Sequence, residues 1–352
     1  GLVSPAGLAL DWVTNKPYWT DAGTYRIEVA SIDGTQRALL IWQNLHKPRD
    51  IVVNPMQGYM FFSDWGSEPV VESAGMDGSK RKSIVSENLY YPNGITIDYA
   101  NNRLYFVDAG TKVLEFVNFD GTGRNRLISD GLLHPFGIDV YEKYVYWSDW
   151  ETRSIWMADK NSGKDRKTVI SETSDLMDVR VFHRKRKNVR DPCANNNGGC
   201  SYMCLLNTLM EGTCVCPIGV KLGADHKSCQ DGPSNYIIFA HRTDIRQVSL
   251  DIDYMIDVVL PLPQISNVYT IDVDLRTGDL YYADNIEDVI VKSSPDGQHV
   301  QHILSESMDN VDGIVICSVS QKIYFADAGR RSIEVAELNG NHRKVLVWQD
   351  LE

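Results

Sequence analysis

Two sets of residues have the type and spacing to do chemistry. The first is a cysteine cluster. Six of the seven cysteines lie between Cys193 and Cys229, a 37-residue window. An even set packed so closely forms disulfides and implies an oxidising compartment. The count alone leaves fifteen connectivities open. The second set is an aspartate that follows an aromatic segment at regular intervals: Asp21, Asp64, Asp108, Asp149, Asp284 and Asp327. Converging acids could hold a metal or do acid–base work. A buried carboxylate accepting backbone N–H bonds from a neighbouring repeat needs no such convergence. Recurrence once per repeat favours the structural role. The eight histidines are scattered without metal-ligand spacing, and no glycine-rich phosphate loop or Gly-x-Ser-x-Gly elbow occurs. Cys317 stands apart and reads as a buried, inert thiol. No cofactor and no metal are expected, and the chain does not read as an enzyme.

The elements that position these residues follow from a repeat. The aspartates are spaced 43, 44 and 41 apart before the cysteine cluster and 43 apart after it. An Asp-Gly, Ser-Gly or Asn-Gly pair follows each, at Gly34, Gly78, Gly121, Gly163, Gly297 and Gly340. Pro5-Ala6-Gly7, Pro48-Arg49-Asp50, Pro92-Asn93-Gly94, Pro135-Phe136-Gly137 and Val311-Asp312-Gly313 precede it in the same phase. Each repeat reads as four short strands. In the first these are Leu8–Asp11, Lys16–Asp21, Arg26–Ser31 and Arg37–Trp42, with a tight turn at the glycine pair. Four strands in about 43 residues is the period of a β-propeller blade. The predicted fold class is therefore all-β, four-stranded antiparallel blades flanking a disulfide-rich module.

Composition sets outer bounds. The 352 residues suggest two or three domains. A net charge of −12, from 47 acids and 35 bases, argues against nucleic acid as a partner. No apolar run approaches the ~20 residues that span a bilayer. There is no Asn-x-Ser/Thr acceptor, and the chain opens on Gly1, reading as a piece of something longer.

The aromatic-Asp repeat with a six-cysteine module resembles the YWTD propellers of the low-density-lipoprotein-receptor family. The spacing Cys193-x6-Cys200-x3-Cys204-x9-Cys214-x-Cys216-x12-Cys229 resembles an EGF-like module. The resemblance implies the pairs Cys193–Cys204, Cys200–Cys214 and Cys216–Cys229. Asn188 to Pro192 lacks the acidic run of calcium-binding modules, so no calcium site is expected. Tyr90-Tyr91-Pro92-Asn93-Gly94, His134-Pro135-Phe136, Thr152-Arg153-Ser154-Ile155 and Asn197-Gly198-Gly199-Cys200-Ser201 are similar to the Wnt co-receptor branch, including the Arrow-like members.

That register divides the chain. Residues 1–182 are expected to form four blades and a closing strand, Asp178–Phe182, of a propeller lacking its first blades. A basic linker at 183–192 leads to the EGF-like module at 193–229. Residues 235–352 are expected to form the first two to three blades of a second propeller. The alternative is one ring of seven repeats with the module inserted.

The resemblance implies ligand binding on the top face, around the central channel. Antagonists such as sclerostin and Dickkopf insert an Asn-x-Ile tripeptide there. Asn93 matches the asparagine that pairs with the ligand amide. Trp65, Tyr91 and Trp150 match the aromatic positions, with His134 and Phe136 close by, and Arg49 matches a basic one. Tyr91 replaces an expected Trp, and Gly23 an expected acid. Both Trp65 and Trp150 could instead pack between blades, and Pro-Asn-Gly could be only a turn. Asn93→Ala is expected to weaken peptide binding with little change in melting. Arg242, Asp244 and Arg246 in the second arc could contact ligand or form blade-to-blade ion pairs. The run His183-Arg184-Lys185-Arg186-Lys187 reads as a solvated linker, with glycosaminoglycan binding the alternative.

The implied function is the extracellular part of a single-pass cell-surface Wnt co-receptor. Its partners would be Wnt proteins, Asn-x-Ile antagonists, a Frizzled-type receptor, and an endoplasmic-reticulum chaperone dedicated to YWTD propellers. The acidic balance would draw basic ligands. An endocytic receptor for lipoprotein or vitellogenin-type cargo, releasing it in acid, is the alternative. A metal-dependent lactone hydrolase is a third and weaker reading.

Overall fold

The computed structural model describes residues 2–182, 189–263, 265–295 and 297–348. The basic run His183–Lys187 and Asp296 lie outside the described residues. Two compact units are present, Leu2–Asp231 and Gly232–Glu352. Among the described residues there is no α-helix, and no helix long and apolar enough to cross a membrane.

The first unit holds four four-stranded antiparallel sheets in chain order. Blade one is β1 (Pro5–Asp11), β2 (Lys16–Asp21), β3 (Arg26–Ala30) and β4 (Arg37–Ile41). Blade two is β5 (Pro48–Asn54), β6 (Tyr59–Asp64), β7 (Val70–Gly75) and β8 (Lys82–Val85). Blade three is β9 (Pro92–Asp98), β10 (Arg103–Asp108), β11 (Val113–Asn118) and β12 (Asn125–Ile128). Blade four is β13 (Pro135–Tyr141), β14 (Tyr144–Asp149), β15 (Ser154–Asp159) and β16 (Lys167–Ile170). Residues 178–182 form no strand. They lie along β13, where Val181 N–H donates to Asp139 Oδ2 at 2.7 Å.

The four-strand period has a simple cause. Apolar residues face both sides of each sheet, so a blade buries them only between neighbours. Ile51, Ile95 and Ile138 on the inner strands are fully buried, whereas the equivalent Leu8 of blade one is 68% exposed. The glycine turn does two things. Gly78 has φ +83°, a conformation that favours glycine, and a Cβ there would meet the blade-one carbonyl of Leu40 at 2.7 Å.

The recurrent aspartates are buried and accept backbone N–H groups. Asp108 accepts from Tyr90, Tyr91 and Thr111 at 2.7, 3.2 and 2.8 Å. Asp21 accepts from Val3, Ser4, Gly23 and Thr24. Asp64, Asp149, Asp284 and Asp327 repeat the pattern. The expected donor was a neighbouring blade. The donors are instead the segment leading into the same blade's inner strand and the turn after the aspartate itself. The carboxylate therefore clamps the crossover arriving from the preceding sheet.

A hydroxyl joint joins adjacent inner strands. Thr20 Oγ1 accepts from Gly7 N–H and donates to the Arg49 carbonyl, both at 2.9 Å. Ser63 repeats this between Asp50 N–H and Asn93 carbonyl, and Ser148 between Gly137 N–H and Met177 carbonyl.

The six-cysteine module, with strands β17 (Met203–Leu206) and β18 (Gly212–Val215), belongs to the first unit. Its disulfides are Cys193–Cys204, Cys200–Cys214 and Cys216–Cys229. Met203, Leu205 and Leu206 are buried in one cluster with Tyr18, Val29, Met60 and Met76 of blades one and two. The Tyr202 hydroxyl accepts from Arg37 N–H at 2.7 Å and donates to the Arg37 carbonyl at 3.2 Å. Arg37 begins β4, beside the hairpin turn. The module therefore docks at the opposite end of the blades from the aspartate clamps.

The second unit holds three sheets. A three-stranded sheet, β19 (Tyr236–His241), β20 (Asp244–Ser249) and β21 (Asp257–Val259), comes first. Two four-stranded sheets follow, β22 (Val268–Val273) to β25 (Val300–Leu304) and β26 (Val311–Cys317) to β29 (Lys344–Val347).

Asp108→Ala leaves three N–H groups without their acceptor. It is expected to cost roughly 2–4 kcal/mol in urea unfolding, against little change for the exposed turn residue Asp120→Ala. Burial pushes the Asp21 pKa up, but four backbone N–H bonds outweigh it and hold the carboxyl below the ordinary carboxylate range. Its stabilisation is present above the unfolded pKa of about 3.9 and is lost as pH falls through the folded value. Urea midpoints should drop across that window, and less so in Asp21→Ala. Tyr202→Phe should speed hydrogen exchange at the Arg37 amide while leaving all three disulfides intact.

Candidate functional site

The clamps fix the end of each blade at which the second strand finishes, and the candidate side chains stand there. Trp65 directly follows Asp64, and its N–H donates to the Lys47 carbonyl at 3.2 Å. Trp150 follows Asp149 in the same way, with its N–H on the His134 carbonyl at 3.0 Å. Tyr91 lies in the lead-in segment clamped by Asp108.

These residues form two groups. Trp65 and Tyr91 meet edge to face with centroids 5.3 Å apart, and Tyr90 meets Tyr91 at 4.6 Å. His134 and Trp150 meet edge to face at 5.1 Å. Arg49 connects the first group to Phe136, its guanidinium 5.6 Å from the Trp65 ring and 4.8 Å from the Phe136 ring. Such cation–π contacts hold the cation without an acid beside it. Trp150 is 46% exposed, Tyr91 is exposed, and Arg49, Trp65, His134 and Phe136 are half-buried.

Asn93 differs. It is only 4% exposed, and its Nδ2 donates to the Pro135 carbonyl of blade four at 3.1 Å. Blade three carries Val107 where Thr20, Ser63 and Ser148 supply the hydroxyl joint. The Asn93 amide bridges in its place. The side chain therefore ties blade three to blade four, a contact that Pro-Asn-Gly as a turn sequence does not announce.

Arg242 lies in the second unit, in the short connection between β19 and β20, and its side chain is exposed. Asp244, Arg246 and Asp257 form a triad there, at 2.7 Å from Arg246 to each acid. Hydrogen bonds to Asp244 and Asp257 outweigh burial and raise the Arg246 pKa. All three belong to one sheet, so the pairing is within a blade rather than between blades.

Sequence reasoning missed two features. One is a glutamate nine residues before an arginine. Glu28–Arg37, Glu72–Arg81, Glu115–Arg124 and Glu334–Arg343 are ion-paired, with each glutamate buried. Each arginine also covers an aromatic ring, Trp19, Phe62, Phe106 or Phe325. Arg81, Arg124 and Arg343 donate to carbonyls of the crossover as well. The constant spacing was visible in the sequence. The other is Asp50, standing where the other first-unit blades have glycine. Burial pushes its pKa up against the pull of Arg180, whose guanidinium lies 3.5 Å away. Nothing in the sequence marks that meeting. Among the described residues, no group of acids, histidines or cysteines could hold a metal.

Comparison with known proteins agrees with this architecture. The family "Low-density lipoprotein receptor repeat class B" matches residues 15–55, 58–99 and 321–352. Low-density lipoprotein receptor-related protein 5 of Mus musculus is 45% identical over 325 residues, 92% of this chain and 20% of that protein. Low-density lipoprotein receptor-related protein 4 of Rattus norvegicus is 49% identical over 314 residues, 89% of this chain and 16% of that protein. The chain thus spans about a fifth or less of those relatives. A chain from a crystal structure of a nidogen/laminin complex is 38% identical, covering 49% of this chain and 64% of its own, with a TM-score of 0.46. The chain carries low-density lipoprotein receptor class B, or YWTD, repeats folded as four-stranded blades before and after a three-disulfide module, and over most of its length it is similar to those receptor-related proteins.

Proposed function

We propose that this chain is an extracellular ligand-binding part of a Wnt co-receptor, acting by rigid presentation and with no chemistry of its own. The observation that carries the reading is the set of ring-contacting side chains at the clamp end of the blades, Arg49, Trp65, Tyr91 and Phe136 with the pair His134 and Trp150. Aromatic anchors around one arginine have the composition of an interface hot spot. The clamps beneath give each side chain a fixed backbone, which lowers the entropy lost on binding. The ligands proposed are Wnt proteins and antagonists carrying Asn-x-Ile, in company with a Frizzled-type receptor. Folding with the help of a dedicated chaperone fits the disulfides and the long-range closure of blades. The two units are taken as arcs of successive propellers. Asn93 enters as a positioning residue, setting the distance between blades three and four.

Titration with an Asn-x-Ile peptide by calorimetry tests this. Trp150→Ala should weaken binding at least about tenfold with an unchanged melting temperature. Asn93→Ala should lower both affinity and melting temperature. Undiminished affinity in Trp150→Ala and Arg49→Ala together would remove the face from the binding site.

A further inference from the structure

We infer that a groove across the clamp end of blade two, between the crossovers that enter blades two and three, docks an acidic peptide segment of a partner protein, one with an apolar core. The groove encloses about 690 Å³, and its walls include Tyr25, Leu45, Leu89 and Tyr90. It shares Trp65 and Tyr91 with the proposed face. It otherwise stands outside that face and rests on its own observations.

The first observation is charge. The chain carries 47 acids and 35 bases, yet the groove is lined by Lys47 and His46 and by no aspartate or glutamate. Neither basic side chain has an ion-pair partner among the described residues. The nearby acids are engaged or line an adjoining groove that shares His46, Pro69 and Leu89 with this one. Asp64 is buried on backbone N–H groups, and Glu72 is paired with Arg81. Glu68 lines the adjoining groove with them. Arg49 adds a second cation, with Lys47, beside Trp65.

The second observation is that the groove is built rather than collapsed. His46 N–H and Tyr90 N–H each donate to a clamp carboxylate at 2.7 Å, His46 to Asp64 and Tyr90 to Asp108. Gly66 and Gly110 lie under these two residues. A Cβ added to them would come within 2.0 Å of the His46 Cβ and 2.4 Å of the Tyr90 Cβ. The backbone is thus held and the side chains are left facing out, with Tyr90 58% exposed. Exposed rings of Tyr25 and Tyr90 beside unpaired basic side chains suit a carboxylate next to an apolar side chain. A sulfated glycan would match this floor poorly, because it needs many cations and little apolar surface.

The test uses two labelled hexapeptides with the same Leu-Trp core, one flanked by Asp and Glu and one by Lys. Binding is read by fluorescence anisotropy at about 50 mM salt, where screening is weak. The acidic peptide should bind at least about tenfold more tightly than the basic one. The double variant His46→Glu with Lys47→Glu should reverse that preference. Its melting temperature should hold, because both residues meet the clamp through backbone N–H. Tyr90→Ser should weaken both peptides. Equal binding of the two peptides, an unchanged ratio in the double variant, or binding of a heparin hexasaccharide with none of the acidic peptide would overturn the inference. Loss of Asn-x-Ile binding in Trp150→Ala leaves this test unaffected, so the two readings fail separately.

Discussion

Everything in this fold depends on a carboxylate at the end of each second strand. A propeller chain must cross from the outer strand of one sheet to the inner strand of the next, and that crossover has amides with no ladder to join. Asp108 takes up two of them and a third from the following turn. One ionised side chain can accept several N–H groups, which a hydroxyl or amide oxygen cannot match. The clamp also sets the height at which the next inner strand starts. The hydroxyl joint of Thr20 or Ser63 needs that height, because it reaches both its own inner strand and the next.

The outer part of the blade is tied by the glutamate–arginine pair. Burying Glu28 or Glu334 would be costly alone. The arginine fork offsets this by binding the carboxylate, covering an aromatic face and reaching the crossover carbonyls. Blade four shows how the device varies. Trp156 replaces the glutamate, yet Arg166 remains, 5.2 Å from the Trp147 ring and 4.6 Å from the Trp156 ring, and still reaches the Asp130 and Gly131 carbonyls. The sheet β22–β25 goes further, with Val291 and Val300 at the acid and arginine positions packed against Tyr282, so apolar contact can cover the ring in place of both charges.

Much of this was legible because it repeats. A period of 43 residues, a turn glycine and an aromatic-Asp segment recur in phase, and each is imposed by the geometry of one blade. The first-blade strands fall within a few residues of where the alternation puts them. The clamp's donors were misjudged because a pattern in sequence reports that an acid is buried and not which amides surround it. The tie at Asn93 was missed for a related reason. Its role is set by Val107, fourteen residues later, which lacks the hydroxyl its counterparts have. Comparing Thr20, Ser63, Val107 and Ser148 would have exposed the gap. The meeting of Asp50 with Arg180 had no such signal, since 130 residues and two blades separate them.

A constant frame with variable side chains explains how such a scaffold acquires binding surfaces. The residue whose N–H meets the clamp is Val3, His46, Tyr90 or Leu133 in the four blades of the first unit. The bond involves only backbone, so the side chain is free to change with little effect on folding. The surface chemistry of each blade end can then diverge from that of the whole chain. A partner within a Debye length of about 8 Å responds to the nearest charges more than to a net charge of −12. The excess of acids therefore argues for basic partners only where the acids are. At the end of blade two, the display position and its neighbour are His46 and Lys47, and the sign a partner meets there is the opposite.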